Sequence, residues 1–348
     1  MTRGIHVLIV DDSRLMRRMI GDMLSAREEI RQISFAADVE AAERFLADRR
    51  PDVVTLDLEM PQTSGMTFLE RLMRDCPLPV VMVSALTPRG GDASIAALEC
   101  GAVDVVPKPT GLDAMDGFRH SLQEAVVSAA GAHADQALRT GGAVTTAAPD
   151  LGRVERPRLI GLAASTGGVG ALSLLLPSLP PDAPPVLITQ HMPGPFIERL
   201  VARLHLKFDR DIAVAREGER LRDGVIRFAP GHRDLIPVEG ADGVSVRLEA
   251  GRTATSPCAD RMFKAMSRLG GARMGAVLTG MGRDGALGAL ALRRSGGHVL
   301  AQDEATSVVF GMPRAAAELG GIDEVLPIEG IAAHLSTICK PLSRRVAL

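Results

Sequence analysis

The sequence contains no tyrosine and no tryptophan, and only four of its forty basic residues are lysines. We attribute both features to genome-level composition bias and infer no function from them. Acidic and basic residues nearly balance, with a formal net charge of −2, and no block of lysine and arginine occurs. Because nucleic-acid binding depends on clustered basic side chains that neutralise phosphates, we expect no nucleic-acid partner.

Cysteine and long apolar runs are also scarce. The four cysteines stand far apart and form no C-x-x-C pair, which argues against a disulfide framework or a cysteine zinc site and predicts buried thiols in a reducing compartment. The longest apolar stretch, residues 159–176, is interrupted by glycines and hydroxyl residues, so it predicts a strand, a turn and a helix. The N-terminus opens with a strand-like run and not a secretion signal. We therefore expect a soluble, cytoplasmic protein without membrane insertion.

Residues 5 to about 125 alternate apolar runs with helix-like stretches five times. This alternation predicts a parallel sheet covered by helices on both faces. Polar residues follow four of the runs at their C-terminal ends, namely Asp11 with Asp12, Asp57, Ser84 and Lys108. Because the C-terminal ends of parallel strands meet at one edge, where ligands bind, we expect these side chains to share one pocket.

The chemistry of this pocket is typical of phosphoryl transfer to an aspartate. Three neighbouring carboxylates repel each other unless a hard cation holds them, and Mg²⁺ prefers carboxylates, waters and a phosphate oxygen. Lys108 is the only lysine before residue 207, and a compact ammonium suits a single phosphate oxygen. Each residue alone is explained as an ordinary strand cap, whereas the set predicts a phospho-accepting site at Asp57.

Residues 126–156 are rich in alanine, glycine, threonine and proline and show no apolar period. They predict a linker between a domain at 1–125 and a second domain at 157–345. The second domain shows another α/β pattern, with strands expected at 159–164, 186–190, 275–279 and 299–302. Residues 212–250 differ, because short strands and an Asp-Gly turn predict an antiparallel insertion or edge. We thus predict an α/β chain: a doubly wound (βα)5 domain, then a mainly parallel α/β domain.

Polar residues also stand at strand ends in the second domain. Ser165 lies between a strand and a helix N-terminus, where free N–H groups and the helix dipole favour the negative charge of an oxyanion. His191 follows a second apolar run and would act as the base for Ser165. Asp284 lies among Gly280, Gly282 and Gly285 and would orient the imidazole.

Several alternatives remain open at this point. The Ser-Thr-Gly-Gly turn at Ser165 is also typical of phosphate-binding helix N-termini. Asp260 and Asp303 are rival acids for His191. Ala163 occupies the first glycine position of the Gly-x-Ser-x-Gly elbow, so the α/β-hydrolase motif is absent. A Gly-x-Gly-x-x-Gly dinucleotide motif with a following acidic residue is also absent.

Together, the motifs resemble those of the chemotaxis response regulator protein-glutamate methylesterases, the CheB family, over nearly the whole chain. Four motifs of the first domain carry the resemblance: Val-Asp-Asp-Ser at 10–13, Leu-Asp-Leu-Glu-Met-Pro at 56–61, Met-Val-Ser-Ala-Leu-Thr at 82–87 and Lys-Pro at 108–109. Four more lie in the second domain: Ala-Ser-Thr-Gly-Gly at 164–168, Gln-His-Met-Pro at 190–193, Leu-Thr-Gly-Met-Gly-Arg-Asp-Gly at 278–285 and Gln-Asp-Glu-Ala-Thr-Ser-Val-Val-Phe-Gly-Met-Pro at 302–313.

For the first domain, the resemblance implies that Asp57 accepts a phosphoryl group from a chemotaxis histidine kinase. It implies Mg²⁺ near Asp11, Asp12 and Asp57. Ser84 and Lys108 would be the switch hydroxyl and the ammonium that contacts the phosphate. Phosphorylation would then activate the second domain.

For the second domain, the resemblance implies that Ser165, His191 and Asp284 hydrolyse glutamate γ-methyl esters of methyl-accepting chemotaxis receptors. It also implies deamidation of receptor glutamines by the same site, with no cofactor for the esterase chemistry. Thr166 and the backbone of Met281 would lie beside the oxyanion.

Two other functions agree with the residues alone. One is a phosphorylation-gated serine hydrolase of the same mechanism that acts outside chemotaxis. The other is a non-catalytic response regulator whose second domain only binds a partner. The sequence departs from the expected family pattern at Ala163, Asp234 and Ser256, where glycine, histidine and a basic residue are expected. Asp234 and Ser256 fall in a region expected to meet substrate, so these departures bear on substrate choice.

Overall fold

The computed structural model describes residues 4–132 without 62 and 86, then 155–251 and 256–340. Most of the predicted linker (133–154) and the last predicted residues of the second domain lie outside the described residues. The chain divides into two compact units, Met1–Arg139 and Thr140–Leu348. In the described ranges, every helix is too short or too polar to cross a bilayer.

The first unit is a five-stranded parallel sheet with the strand order β2-β1-β3-β4-β5. All five residues of the central strands β3 and β4 are buried, as expected when helices cover both faces of a sheet. The prediction of a (βα)5 domain is confirmed. Its elements are β1 (Ile5–Val10), α1 (Arg14–Ser25), β2 (Ile30–Ala36), α2 (Val39–Asp48), β3 (Val53–Asp57), α3 (Gly65–Asp75), β4 (Val80–Ser84), α4 (Pro88–Glu99), β5 (Asp104–Pro107) and α5 (Met115–Ala130).

Short polar side chains begin several of these helices. The Ser13 hydroxyl accepts a hydrogen bond from the N–H of Met16, and the Asp38 carboxylate accepts one from the N–H of Ala41. Each bond satisfies an N–H group that has no partner inside its own helix. The loops from strand to helix are therefore held close to the C-terminal edge of the sheet.

The second unit is built on a seven-stranded parallel sheet with the order β14-β13-β12-β6-β7-β9-β8. The remaining two strands, β10 and β11, form a separate antiparallel hairpin. The elements are β6 (Leu159–Ala164), α6 (Gly168–Leu175), β7 (Val186–Gln190), α7 (Gly194–Phe208), β8 (Asp211–Val214), β9 (Val225–Phe228), β10 (Arg233–Gly240), β11 (Gly243–Ala250), α8 (Ala259–Met266), β12 (Arg273–Val277), α9 (Ala286–Arg294), β13 (His298–Gln302), α10 (Met312–Glu318), β14 (Glu324–Leu326) and α11 (Ile328–Cys339).

The antiparallel prediction for residues 212–250 is right only for the hairpin β10–β11. Strands β8 and β9 instead extend the parallel sheet beyond β7. All four residues of β9 are buried, which is typical of an internal strand of a covered parallel sheet and not of an alternating edge strand.

Strand β6 lies between β7 on one side and β12 on the other. The order of connection reverses at this position, since the chain runs from β6 outward to β7 and later returns to β12. Open α/β sheets bind ligands outside the strand C-termini at such a switch point. The loops after β6, β7 and β12 therefore surround the crevice where a site is expected.

Candidate functional site

The strand ends of the first unit bring the predicted phosphorylation residues together. Asp11 directly follows β1, Asp57 ends β3, and Lys108 follows β5. The Nζ atom of Lys108 lies 2.7 Å from Oδ2 of Asp57 and 3.0 Å from Oδ2 of Asp11. The ammonium thus bridges carboxylates at the ends of two neighbouring strands.

Both of these carboxylates are buried, and the burial affects the ionisation of Asp57. Burial raises the pKa of Asp57, with the Asp11 charge acting in the same direction and Lys108 opposing it. Burial by itself lowers the pKa of Lys108, but the hydrogen bond and charge of Asp57, together with Asp11, raise it overall. The ammonium therefore remains charged beside the carboxylates, with an excess of negative charge in the pocket.

This excess charge fits a divalent cation. Carboxylate oxygens of Asp11, Asp12 and Asp57 all lie within 4.8 Å of one another. Asp12 is exposed, whereas the other two are buried, so the cluster opens to solvent on one side. Hard oxygen donors at one accessible point are the ligands that Mg²⁺ prefers.

Ser84 ends strand β4 beside this pocket and is fully buried. Its hydroxyl donates to the carbonyl of Gly90 over 3.4 Å. A Cβ on Gly90 would lie 3.1 Å from the serine oxygen and only 2.5 Å from the carbonyl of Ala85, so glycine allows this close approach. The hydroxyl therefore joins the end of β4 to the first turn of α4.

In the second unit, Ser165 and His191 follow two directly paired strands. Ala164 of β6 is opposite Gln190 of β7, and the N–H of His191 donates to the carbonyl of Ala164 over 3.0 Å. The side-chain amide of Gln190 donates to the carbonyls of Ser165, at 2.9 Å, and His191, at 3.3 Å. Gln190 thus fixes the backbone of both residues, a role that we did not predict although it precedes His191 in the quoted motif.

The loop after β12 brings the third predicted residue to His191. The Nε2 atom of His191 lies 2.8 Å from Oδ2 of Asp284, and the two side chains are only 17 % and 10 % exposed. Because Nε2 faces the carboxylate, Nδ1 is the ring nitrogen on the side away from Asp284. In the familiar Ser-His-Asp arrangement the ring has the opposite orientation.

The rival acids are occupied elsewhere. The Asp260 carboxylate accepts from the N–H of Gly288 over 2.7 Å, and the Asp303 carboxylate accepts from Thr306. These hydrogen bonds hold the local loop and the start of a helix in place, and His191 pairs with Asp284 instead.

The start of helix α8 surrounds the Asp284 carboxylate with donors. The N–H of Ala259 donates to Oδ2 over 2.6 Å, and the N–H groups of Asp260 and Gly285 donate to Oδ1 over 3.0 and 2.9 Å. Burial by itself raises the pKa of Asp284, but the hydrogen bonds from His191 and from these backbone groups lower it overall. A helix N-terminus also favours an anion, so Asp284 is ionised at neutral pH.

Cys258 supplies one more donor, which we did not predict. Its buried thiol donates to Oδ1 of Asp284 over 3.1 Å. Burial and the neighbouring carboxylate raise the pKa of Cys258 to about 12, so the sulfur keeps its proton at neutral pH. The thiol therefore acts as a hydrogen-bond donor and not as a nucleophile.

Two glycines allow the loops to close around Ser165. A Cβ on Gly280 would lie 2.7 Å from the Cβ of Ser165, so only glycine permits this contact. Gly167 has φ +78°, a left-handed conformation that favours glycine. The backbone of Met281 directly follows Gly280, and the buried Thr166 directly follows Ser165, so both lie next to the serine.

Asp234 is one of the residues at which the sequence departs from the expected family pattern. Its side chain is fully buried. It accepts from the N–H of Cys258 over 2.8 Å and from the Ser256 hydroxyl over 3.2 Å, and it pairs with Arg261, which also pairs with Glu249. Asp234 therefore holds the segment that leads into helix α8, a supporting role that the sequence did not indicate.

Comparisons with known proteins agree with both units. A family model for the CheB methylesterase matches residues 160–335, and one for the response regulator receiver domain matches residues 7–117. The protein-glutamate methylesterase/protein-glutamine glutaminase 2 of Pseudomonas aeruginosa is 42% identical over 339 residues, 95% of this chain and 96% of that protein. A protein-glutamate methylesterase/protein-glutamine glutaminase 3 of Burkholderia thailandensis is 40% identical over 343 residues, 95% of each. The crystal structure of the Thermotoga maritima CheB methylesterase catalytic domain aligns with TM-score 0.48 and 31% identity, covering 52% of this chain and 97% of that one.

Proposed function

We propose, because the chain belongs to the CheB methylesterase family and carries a receiver domain, that it hydrolyses glutamate γ-methyl esters of proteins under control of phosphorylation. The relatives named above are also protein-glutamine glutaminases, so deamidation of glutamine side chains is the second proposed reaction of the same site. The observation that carries the proposal is the 2.8 Å contact of His191 with Asp284 at the strand ends beside Ser165.

The proposed mechanism starts with attack of the Ser165 oxygen on the ester carbonyl. Nδ1 of His191 takes the serine proton and later gives it to the departing methoxide, which leaves as methanol. Asp284 holds the ring so that Nε2 carries the other proton, and its negative charge stabilises the imidazolium. A water molecule, activated by the same ring, then releases the glutamate from the acyl-serine.

We assign the oxyanion site to the neighbours of Ser165. The backbone at Thr166 lies two residues before helix α6, at the positive end of the helix dipole. The backbone of Met281 approaches from the other side through the contact of Gly280 with Ser165. Donors on both sides of the serine would stabilise the charge that develops on the carbonyl oxygen.

In the receiver domain, we propose Asp57 as the acceptor of a phosphoryl group from a chemotaxis histidine kinase. Asp11, Asp12 and Asp57 would hold Mg²⁺, which would offset the charge of the incoming phosphate. Lys108 would contact a phosphate oxygen. Ser84 would exchange its present bond to Gly90 for a bond to the phosphate and so transmit the signal to α4.

We propose methyl-accepting chemotaxis receptors as the substrates and the cytoplasm as the compartment. The four cysteines are all free, in agreement with a reducing environment. A net charge of −2 without a basic block disfavours a nucleic-acid partner.

The test is the release of labelled methanol from methylated receptor membranes by the full chain, with and without a small-molecule phosphodonor and Mg²⁺. We expect release that rises with the phosphodonor, is lost in Ser165→Ala, and loses its stimulation in Asp57→Asn. Hydrolysis of a generic ester without methanol release would favour a target outside chemotaxis. Inertness of Ser165 toward active-site-directed serine reagents would favour a non-catalytic regulator.

A further inference from the structure

A second cluster of ligand-type side chains lies at the opposite end of the second sheet from Ser165. His298 is the first residue of β13, Glu324 is the first residue of β14, and His334 lies in helix α11. One potential ligand atom from each residue lies within 4.8 Å of those of the other two. The rings of the two histidines stack at 15°, with their centroids 5.3 Å apart.

His334 is the buried member of this cluster, with 0 % exposure. Neither of its ring nitrogens has a hydrogen-bond partner among the described residues, and the same holds for Nε2 of His298. Leaving a buried polar group unpaired costs its full desolvation penalty, so native proteins rarely leave several together. A bound ion that took one nitrogen from each ring would satisfy two of these three unpaired nitrogens.

The surroundings of His298 indicate a metal ligand. Nε2 lies 3.3 Å from Oε1 of Glu324 without forming a hydrogen bond. On the other side of the ring, Nδ1 lies 3.6 Å from Oδ2 of Asp323. Asp323 is itself held by Arg293 and by the N–H of Val299. At metal sites the histidine nitrogen that does not bind the metal usually donates to a carboxylate, and Asp323 lies on that side of the ring, although 3.6 Å is too long for a hydrogen bond.

We propose that His298, Glu324 and His334 bind a divalent transition-metal ion, and that Zn²⁺ is the ion this set fits best. Two imidazoles and one carboxylate are typical zinc ligands, and tetrahedral Zn²⁺ would keep one position for water. Glu324 is exposed, so the ion has a path from solvent. The ion would join helix α11 to strand β13 and to the edge strand β14, at the sheet end away from the esterase site.

The test is calorimetric titration of the metal-free full chain with ZnCl₂, in millimolar MgCl₂ so that the receiver carboxylates are occupied. We expect one Zn²⁺ per chain and a rise in the melting temperature. His298→Gln and Glu324→Gln should each weaken binding by about 100-fold or more. Two exposed control variants, His120→Gln and Glu318→Gln, should bind like the wild type.

Circular dichroism checks that each variant still folds. We expect both to fold, because neither His298 nor Glu324 is part of the buried core. Substitution with Co²⁺ gives a second readout, because visible absorption bands report tetrahedral nitrogen and oxygen ligands. Absence of Zn²⁺ binding would mean that internal water satisfies the histidines and would overturn the proposal. Binding that survives both His298→Gln and Glu324→Gln would overturn it as well.

Discussion

The thiol of Cys258 donates to Oδ1 of Asp284 over 3.1 Å, while Oδ2 of the same carboxylate faces His191. The two oxygens of Asp284 therefore have different partners, and rotation of the carboxylate would break bonds on both. Cys258 thus positions the acid without touching substrate. It lies 26 residues before Asp284 in the chain, at the start of helix α8.

Replacing this thiol tests its role as a donor. Cys258→Ala removes one hydrogen bond to a charged group, worth about 1.5 kcal/mol, and should lower kcat about tenfold with little change in KM. Cys258→Ser keeps a donor and should retain most of the activity. Steady-state kinetics on methylated receptor measures both. An equal loss in the two variants would show that size, and not donation, matters at this position.

The negative charge of Asp284 should be essential for turnover. Asp284→Asn keeps the shape but no longer favours the His191 tautomer with a proton on Nε2, so kcat should fall by about 10⁴. Labelling of Ser165 by an active-site-directed reagent should slow in parallel. Phosphorylation of Asp57, measured with a labelled phosphodonor, serves as the control and should be unaffected.

The lowered pKa of Asp284 also predicts a pH dependence of stability. A carboxylate with a pKa below its unfolded value, about 3.9, stabilises the fold above that pH. This contribution is lost as the pH falls through the lower, folded pKa. The free energy of unfolding of the wild type should therefore exceed that of Asp284→Asn at pH 7, and the gap should narrow below about pH 4. Urea denaturation over this pH range measures it; a gap independent of pH would contradict the assignment.

Asp234 should matter for stability near the active site. It is fully buried and accepts hydrogen bonds from the Ser256 hydroxyl and the N–H of Cys258, and leaving such donors unpaired costs about 1–3 kcal/mol. Asp234→Ala should therefore speed amide hydrogen exchange across residues 256–266, measured by mass spectrometry. Asp242→Ala, in an exposed turn, is the matched control. Unchanged protection at 256–266 in Asp234→Ala would show that Asp234 does not hold this segment.

A substitution at Ser84 should separate phosphorylation of Asp57 from the stimulation of methylesterase activity. The Ser84 hydroxyl contacts Gly90 and is not part of the carboxylate cluster of Asp11, Asp12 and Asp57. Ser84→Ala should therefore still be phosphorylated at Asp57. The methylesterase activity of the phosphorylated variant should rise less than that of the wild type. Ser84→Thr keeps the hydroxyl and should respond more strongly than Ser84→Ala. Full stimulation of Ser84→Ala would remove the hydroxyl from the signalling path.

Most of the site could be predicted because its residues stand at strand ends. Parallel strands align their C-termini, so Asp11, Asp57 and Lys108 must meet once the sheet forms. The same geometry joins Ser165 to His191 through the pairing of β6 with β7. These contacts need only the order of strands, which short apolar runs reveal.

The supporting contacts were not predictable in this way. Cys258 reaches Asp284 because helix α8 begins beside that carboxylate, and Asp234 contacts the same segment from strand β10. The positions of these two residues in the sequence follow no strand or helix period. Their side chains carry no local signal, since a cysteine before a helix or an aspartate in a hairpin is common in many proteins. The antiparallel prediction is wrong for strands β8 and β9, because burial on both faces of a strand depends on neighbours that are far away in the sequence.

The central location of β6, β7 and β12 leaves the flanks of the seven-stranded sheet free to diverge. Side chains of the edge strands β8 and β14 can therefore change without displacing the central strand ends that carry Ser165 and His191. Insertions at either edge of this sheet should accordingly leave the arrangement around Ser165 intact.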